Sequence, residues 1–140
     1  MSHVISVSTD IATCLGLRRQ VFIEEQGVSA ADDVDGRDPD AVHLLASVNG
    51  QPVGTARLLN KAETGMIGRV CVLSSQRGKG LGAALIRAAV AEFRGWPGIS
   101  KVKLGAQTHA LGFYEKLGFV AFGPEYDDAG MPHRDMVLTL

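Results

Sequence analysis

Hydrophobic and polar positions follow two different periods along this chain, and the change from one period to the other separates strands from helices. Short apolar runs rich in β-branched residues predict strands at 3–8, 42–48, 52–59, 66–73, 99–106, 119–122 and 134–140. Apolar residues spaced three or four apart predict helices at 9–26, 81–93 and 108–117. Asn49-Gly50 between two strands predicts a hairpin, and further turns are expected at 62–65 and 124–132.

The order of these elements indicates the fold class. A strand and a helix are followed by three antiparallel strands, and then by helix, strand, helix and two strands. This order predicts a mixed α/β fold of the α+β type with a mostly antiparallel sheet flanked by helices, rather than a doubly wound parallel sheet. The 140 residues are enough for one hydrophobic core and show no internal repeat, so residues 1–140 are expected to form a single domain.

Segment 28–41 differs in composition from its surroundings and is predicted to be a loop. Besides Gly36 and Pro39 it contains the aspartates Asp32, Asp33, Asp35, Asp38 and Asp40. Their spacing does not match the calcium-binding EF-hand pattern. Because runs of charge are usually solvated, a solvated loop is favoured over a metal site.

A glycine-rich turn joins the strand at 66–73 to the helix that follows. Gly78, Gly80 and Gly82 alternate with Arg77 and Lys79 and leave backbone N–H groups uncovered at the start of the helix. Unpaired N–H donors and the helix dipole both favour an anion, so the turn is predicted to bind a phosphate-bearing ligand. A Walker site would need Ser or Thr after Lys79, and a dinucleotide site would need an acid on the next strand; neither is present.

The pattern Arg77-x-x-Gly80-x-Gly82 resembles the pyrophosphate loop of the GNAT family of N-acetyltransferases. Segment 103–119 is similar to the family's second cofactor segment, a strand followed by a helix that ends in Phe-Tyr-x-x-x-Gly-Phe. Segments 18–26 and 130–133 resemble the ElaA-like branch. The resemblance implies the GNAT acyl-CoA N-acyltransferase fold, in which the strands at 66–73 and 101–105 splay apart. A bulge at Gly105 is expected to open this gap.

The resemblance also implies a function and a set of contacts. The implied cosubstrate is acetyl-CoA without a metal, and the implied reaction is direct attack by a primary amine on the thioester in a ternary complex. A backbone N–H near Val72 is expected to hold the developing oxyanion. The implied cofactor-binding residues are Val70, Cys71, Val72, Arg77, Gly78, Lys79, Gly80, Leu81, Gly82, Ala83 and Gln107, the last of which replaces the Asn of many family members.

Three residues are candidates for acid–base catalysis. Tyr114 is expected to protonate the departing thiolate. Glu25 is expected to attract or deprotonate the amine, because it continues the side of the first helix that faces the fold; His133 is the alternative base. Cys71 is interpreted as a buried apolar residue in a strand rather than a nucleophile. Histidines at 43 and 109 are most simply structural.

Charge and composition narrow the choice of partners. The formal net charge is −1, so neither nucleic acid nor an anionic membrane is an expected partner. Two cysteines make no disulfide framework, and no signal peptide or membrane span is predicted, so a cytoplasmic location is expected. The expected partner is a small-molecule or peptide amine, and a homodimer stays open. The alternatives are a non-catalytic acyl-CoA sensor or interaction module, which would bind without turnover, and a nucleotide-binding regulatory domain.

Overall fold

A single mixed sheet organises the computed structural model, which describes residues 3–29 and 35–140. Its seven strands within those ranges are β1 His3–Ser8, β2 Val42–Val48, β3 Gln51–Lys61, β4 Thr64–Val72, β5 Lys101–Gln107, β6 Val120–Asp128 and β7 Met131–Thr139. The strand order is β1-β2-β3-β4-β5-β7-β6, and β4 and β5 form the parallel pair. The predicted mixed, mostly antiparallel fold is therefore confirmed.

The helices form where the apolar spacing predicts them, with two differences in local geometry. Helix α1 spans Ile11–Arg18, is capped by the Asp10 carboxylate, and continues as a π-helix over Arg19–Glu25. Helix α2 spans Leu81–Arg94, and helix α3 is only Leu111–Glu115, because a 3-10 turn precedes it. Within 3–29 and 35–140, none of these helices has the length and apolar character needed to cross a membrane.

The two longer helices pack on opposite faces of the sheet. Leu85, Phe93 and their neighbours on α2 pack with one face of β2, β3 and β5 in the main core. Leu17 and Val21 from the first helix pack with Cys71 on the other face. Successive strand residues point to opposite faces, so a single strand can serve both cores.

The parallel strands β4 and β5 pair only over their first residues. Their register runs from Thr64 with Lys101 to Ile67 with Leu104, and the strands separate beyond that point. A bulge lies in β4 at Arg69, which has a φ of +51°, and the pairing with β3 shifts register there. Such a bulge bends its own strand away from the partner, which accounts for the gap.

The predicted bulge at Gly105 is wrong, because β5 stays in register with β7 through the pair Gly105–Asp135. Glycine is needed at this position for a different reason. A Cβ atom there would lie 2.5 Å from the hydroxyl oxygen of Tyr126, which crosses directly over the backbone. Gly105 thus makes room for a side chain from the neighbouring hairpin.

The last two strands form a longer hairpin than the sequence predicts. The expected turn at 124–132 is wrong, since β6 extends to Asp128 and only Ala129 and Gly130 make the turn, both with positive φ. A register shift between Phe122 and Tyr126 absorbs the proline between them. Because β6 is an edge strand, a proline lacking an N–H group is tolerated there.

Candidate active site

A cavity of about 460 Å³ lies where β4 and β5 separate. The first helix, the bulge in β4, helix α3 and the β6–β7 hairpin all contribute to its wall. The predicted catalytic and cofactor-binding residues that line it are Val70, Gln107, Tyr114 and His133. A gap between parallel strands with unpaired backbone groups can accept an extended ligand as an additional strand.

The glycine-rich turn, residues 77–82, has the geometry of an anion site. Gly78 and Gly80 have φ values of +78° and +79°, and a Cβ atom at either position would meet nothing within 4 Å. Gly80 is the N-cap of α2 and supplies no side-chain cap. The first N–H groups of the helix, those of Leu81, Gly82 and Ala83, therefore depend on water or a ligand for their hydrogen bonds.

Arg77 and Glu25 are bound to each other at the edge of this turn. Two hydrogen bonds join the Arg77 guanidinium to the Glu25 carboxylate, at 2.5 Å and 2.9 Å, and Arg77 Nε donates to the Val72 carbonyl at 3.0 Å. The hydrogen bonds from Arg77 lower the pKa of Glu25 below its usual value and make it a weaker base. The structure therefore places Glu25 against the predicted phosphate turn, outside the described wall of the cavity.

Tyr114 lies on α3 and contributes to the cavity wall. Its ring makes edge contacts with Phe113 and Phe119, with centroids 5.0 Å and 6.2 Å away. Burial raises the pKa of the Tyr114 hydroxyl above its ordinary value. The phenol therefore stays protonated at neutral pH and can donate a proton to a leaving group.

His133 faces the same cavity from β7. Its Nδ1 atom is 2.9 Å from the Met131 carbonyl oxygen, and its ring stacks on Tyr126 with centroids 5.9 Å apart. Because a carbonyl oxygen only accepts, Nδ1 carries the proton in this contact. The Nε2 atom of the neutral ring then has its lone pair available to take a proton.

Tyr126, Asp135 and Lys103 form a polar group on this wall that sequence reasoning missed. The Tyr126 hydroxyl donates to Asp135 at 2.7 Å, and Lys103 lies 3.3 Å from the same carboxylate. Burial, followed by the hydrogen bond to Asp135, raises the pKa of Tyr126. Alternation along β7 places Asp135 on the same face as His133 and was a usable signal. No comparable signal existed for Tyr126, which falls in the predicted turn.

Part of the acidic loop is bound to arginines beside the cavity. Arg57 makes a two-pronged contact with Asp35, with both distances 2.8 Å, and Arg18 donates to Asp38 at 2.7 Å. The Arg57 hydrogen bonds hold the pKa of Asp35 well below its usual range. The prediction of a solvated loop is thus wrong for Asp38, which is buried, whereas Asp35 is paired with Arg57 but remains exposed. The aspartates at 32 and 33 lie outside the described residues.

The other candidates have simpler surroundings. Cys71 is buried against Leu17 and Val21 and forms no disulfide. His43 is buried with Nε2 3.0 Å from the Asp38 carbonyl oxygen. His109 Nε2 lies 2.6 Å from the Gln107 side-chain oxygen. Over 3–29 and 35–140, no group of three or more histidine, cysteine or acidic side chains is arranged to hold a metal ion.

Comparison with known families matches residues 18–140 to the acetyltransferase (GNAT) domain. The chain belongs to the GNAT acetyltransferase family. The splayed strands β4 and β5 and the cavity between them are therefore parts of an acetyltransferase fold, and the family supports acyl-CoA-dependent acetyl transfer in general.

Several relatives cover almost the whole length of the chain. ElaA from Escherichia coli (strain K12) is 36% identical over 138 residues, which are 94% of this chain and 88% of ElaA. Its crystal structure matches with a TM-score of 0.83 over 98% of both chains. An acyl-CoA N-acyltransferase from Pseudomonas aeruginosa is 34% identical, with a TM-score of 0.83 over 99% of both chains.

A more distant GNAT acetyltransferase from Elizabethkingia anophelis shares the fold at 16% identity, with a TM-score of 0.76 over 99% of this chain and 98% of its own. That protein's crystal structure has acetyl-CoA bound.

Proposed function

We propose that this GNAT protein is an acetyl-CoA-dependent N-acetyltransferase that transfers the acetyl group to a primary amine by direct attack in a ternary complex. The observation that carries the proposal is the gap between β4 and β5, which opens into a cavity lined by Tyr114 and His133 and is formed by the strand that leads into the glycine turn. Acetyl-CoA bound to the Elizabethkingia relative supports this choice of cosubstrate.

The bulge in β4 supplies the group that polarises the acetyl carbonyl. Arg69 and Val70 line the cavity just beyond the point where β4 leaves β5. A backbone N–H of this bulge donates to the carbonyl oxygen and stabilises the oxyanion that forms during attack. This location is two or three residues before Val72, where the sequence analysis expected it.

Tyr114 supplies the proton for the leaving group. The neutral amine nitrogen bonds to the carbonyl carbon, the carbon–sulfur bond breaks, and the thiolate takes the phenolic proton, while the proton that the nitrogen loses on becoming an amide restores the phenol, directly or through water. The raised pKa of Tyr114 keeps that proton in place before reaction. Binding both substrates in one cavity supplies much of the acceleration, because a bimolecular attack becomes effectively unimolecular.

His133 is the better supported base of the two that the sequence suggested. A free alkylamine is almost wholly protonated at neutral pH and must lose a proton before it attacks. His133 lines the cavity and has Nε2 available, whereas Glu25 is paired with Arg77. We therefore assign proton removal to His133, directly or through water, and keep Glu25 as the alternative.

The experiment that tests this function is release of free thiol from acetyl-CoA over a panel of primary amines, with coenzyme A binding measured in parallel by calorimetry. We expect cofactor binding and amine-dependent thiol release, with a His133→Gln variant that binds coenzyme A normally but turns over slowly. Tight binding without turnover on any amine would favour the sensor module instead. A protein that binds nucleotides but not coenzyme A would refute the proposal.

A further inference from the structure

Glu25 and Arg77 were predicted to serve different substrates, Glu25 the acceptor amine and Arg77 the cofactor phosphate, yet their side chains are bound to each other. Glu25 ends the π-helical segment of the first helix, and Arg77 opens the glycine turn, 52 positions later. Their side chains are 40% and 43% exposed. The Glu25 carboxylate occupies N–H groups of Arg77 that a bound phosphate would need.

In this pair, Arg77 has no two parallel N–H groups left with which to bind a phosphate. A guanidinium has five N–H groups, and the strong contact with phosphate uses two that are parallel on one edge. In Arg77, one N–H on each terminal nitrogen binds Glu25, and the Nε–H binds the Val72 carbonyl. The two remaining N–H groups point away from each other. A two-pronged contact with phosphate therefore requires Arg77 to give up one of its present partners.

Glu25 is the partner that can leave more readily. The Val72 carbonyl is part of the backbone of β4 and cannot move far, while the Glu25 side chain is partly exposed and flexible. Exposed ion pairs are weak in water because both charges are well solvated. A pyrophosphate held by the N–H groups at the start of α2 brings greater negative charge to the same guanidinium.

The Glu25–Arg77 pair also connects the glycine turn to the cavity wall. Phe22, Gln26 and Val28, which flank Glu25 in the chain, line the cavity in which we propose that both substrates bind. Release of Glu25 frees the end of the first helix from the glycine turn. Cofactor binding at the turn is in this way linked to the position of one wall of the substrate cavity.

We propose that the carboxylate of Glu25 and a phosphate of the cofactor compete for Arg77, so that coenzyme A binding breaks the Glu25–Arg77 pair. The proposal rests on the proposed function, because it takes the ligand of the glycine turn to be acyl-CoA. Glu25 acts here through Arg77 and is a positioning residue. In the cofactor-free protein it holds both Arg77 and the end of the first helix.

The test is a double-mutant cycle read out by calorimetric titration with coenzyme A. We expect Glu25→Gln to bind coenzyme A about two- to fivefold more tightly than wild type, the range that corresponds to an exposed ion pair. In an Arg77→Gln background, the same Glu25→Gln change should have no effect. Glu24→Gln is the matched control, because Glu24 is the exposed neighbour and makes no ion pair within the described part of the chain.

Each outcome decides the question. Unchanged or weaker binding by Glu25→Gln overturns the proposal, since Glu25 then does not compete for Arg77. An equal gain from Glu24→Gln, or a gain that persists with Arg77→Gln, also overturns it, because general charge repulsion would account for the effect. If wild type does not bind coenzyme A, the proposed function itself fails and this proposal fails with it. The two failures are therefore distinguishable.

Discussion

Replacing Asp38 by asparagine should destabilise the protein strongly, although Asp38 lies in a loop. Its carboxylate accepts hydrogen bonds from Arg18 at 2.7 Å and from Arg57 at 3.3 Å, and the side chains of both arginines are at least 94% buried. Breaking a buried ion pair from one side typically costs about 3–5 kcal/mol, because the remaining charge stays buried. Arg57 keeps its contact with Asp35, so we expect the free energy of unfolding to fall by about 2–4 kcal/mol.

Urea unfolding at neutral pH measures this change. With a slope of about 2 kcal/mol per molar urea, the middle of the usual range, the midpoint for Asp38→Asn should fall by about 1–2 M. Asp40→Asn is the matched control, because Asp40 lies on the same 3-10 turn with an exposed side chain. The control should shift the free energy of unfolding by no more than about 0.5 kcal/mol.

The pH dependence of the same difference provides a second measurement. Burial alone would raise the pKa of Asp38, but the hydrogen bonds and charges of Arg18 and Arg57 together lower it below the unfolded value. A carboxylate with a lowered folded pKa stabilises the folded state above about pH 4, and this contribution is lost as the pH falls through the folded pKa. Wild type should therefore approach Asp38→Asn in stability below pH 4. Equal stabilities at pH 7, or a difference that does not shrink in acid, would refute the reasoning.

Three further predictions concern single residues of the site and the core. Tyr114→Phe should lower kcat about ten- to a thousandfold without changing coenzyme A affinity, since an acid for the leaving group acts in the transition state; unchanged turnover with chemistry rate-limiting would exclude the role. Cys71→Ser should keep substantial activity, and a trapped acyl-enzyme on wild type would contradict direct attack. Gly65→Ala should destabilise by about 1–3 kcal/mol, because its Cβ would lie 2.6 Å from the Phe93 ring; Gly68→Ala, with nothing within 4 Å, is the control in urea unfolding.

The parts of the fold that follow from local patterns were predictable from sequence. The hairpin at Asn49-Gly50 has positive φ at both residues, as the dipeptide predicts. Strand β2 coincides with its predicted range, Val42–Val48, and ends directly before this turn. These features depend on neighbours in the chain, which is the information that periodicity and turn chemistry contain.

The predictions that were wrong concern features that depend on residues far away in the chain. Nothing in the run of aspartates shows that Asp35 binds Arg57 and Asp38 binds Arg18, because those partners are 22 and 20 positions away. Likewise, β6 continues past its proline because it pairs with β7. The strand propensity of the local sequence contains no information about that pairing. Charged residues in a loop are therefore poorly assigned until the surfaces that face them are known.

The pairing of Glu25 with Arg77 shows how such a distant contact alters the assignment of a catalytic role. Helical spacing correctly places Glu25 at the end of the first helix, and the glycine pattern correctly places Arg77 at the turn. Each residue taken alone is available, Glu25 as a base and Arg77 as a phosphate ligand. Once they share two hydrogen bonds, the carboxylate is a weaker base and the guanidinium has no pair of parallel N–H groups left for a phosphate. The proton of the amine is then better assigned to His133, whose available nitrogen follows from a hydrogen bond to a backbone carbonyl only two residues away.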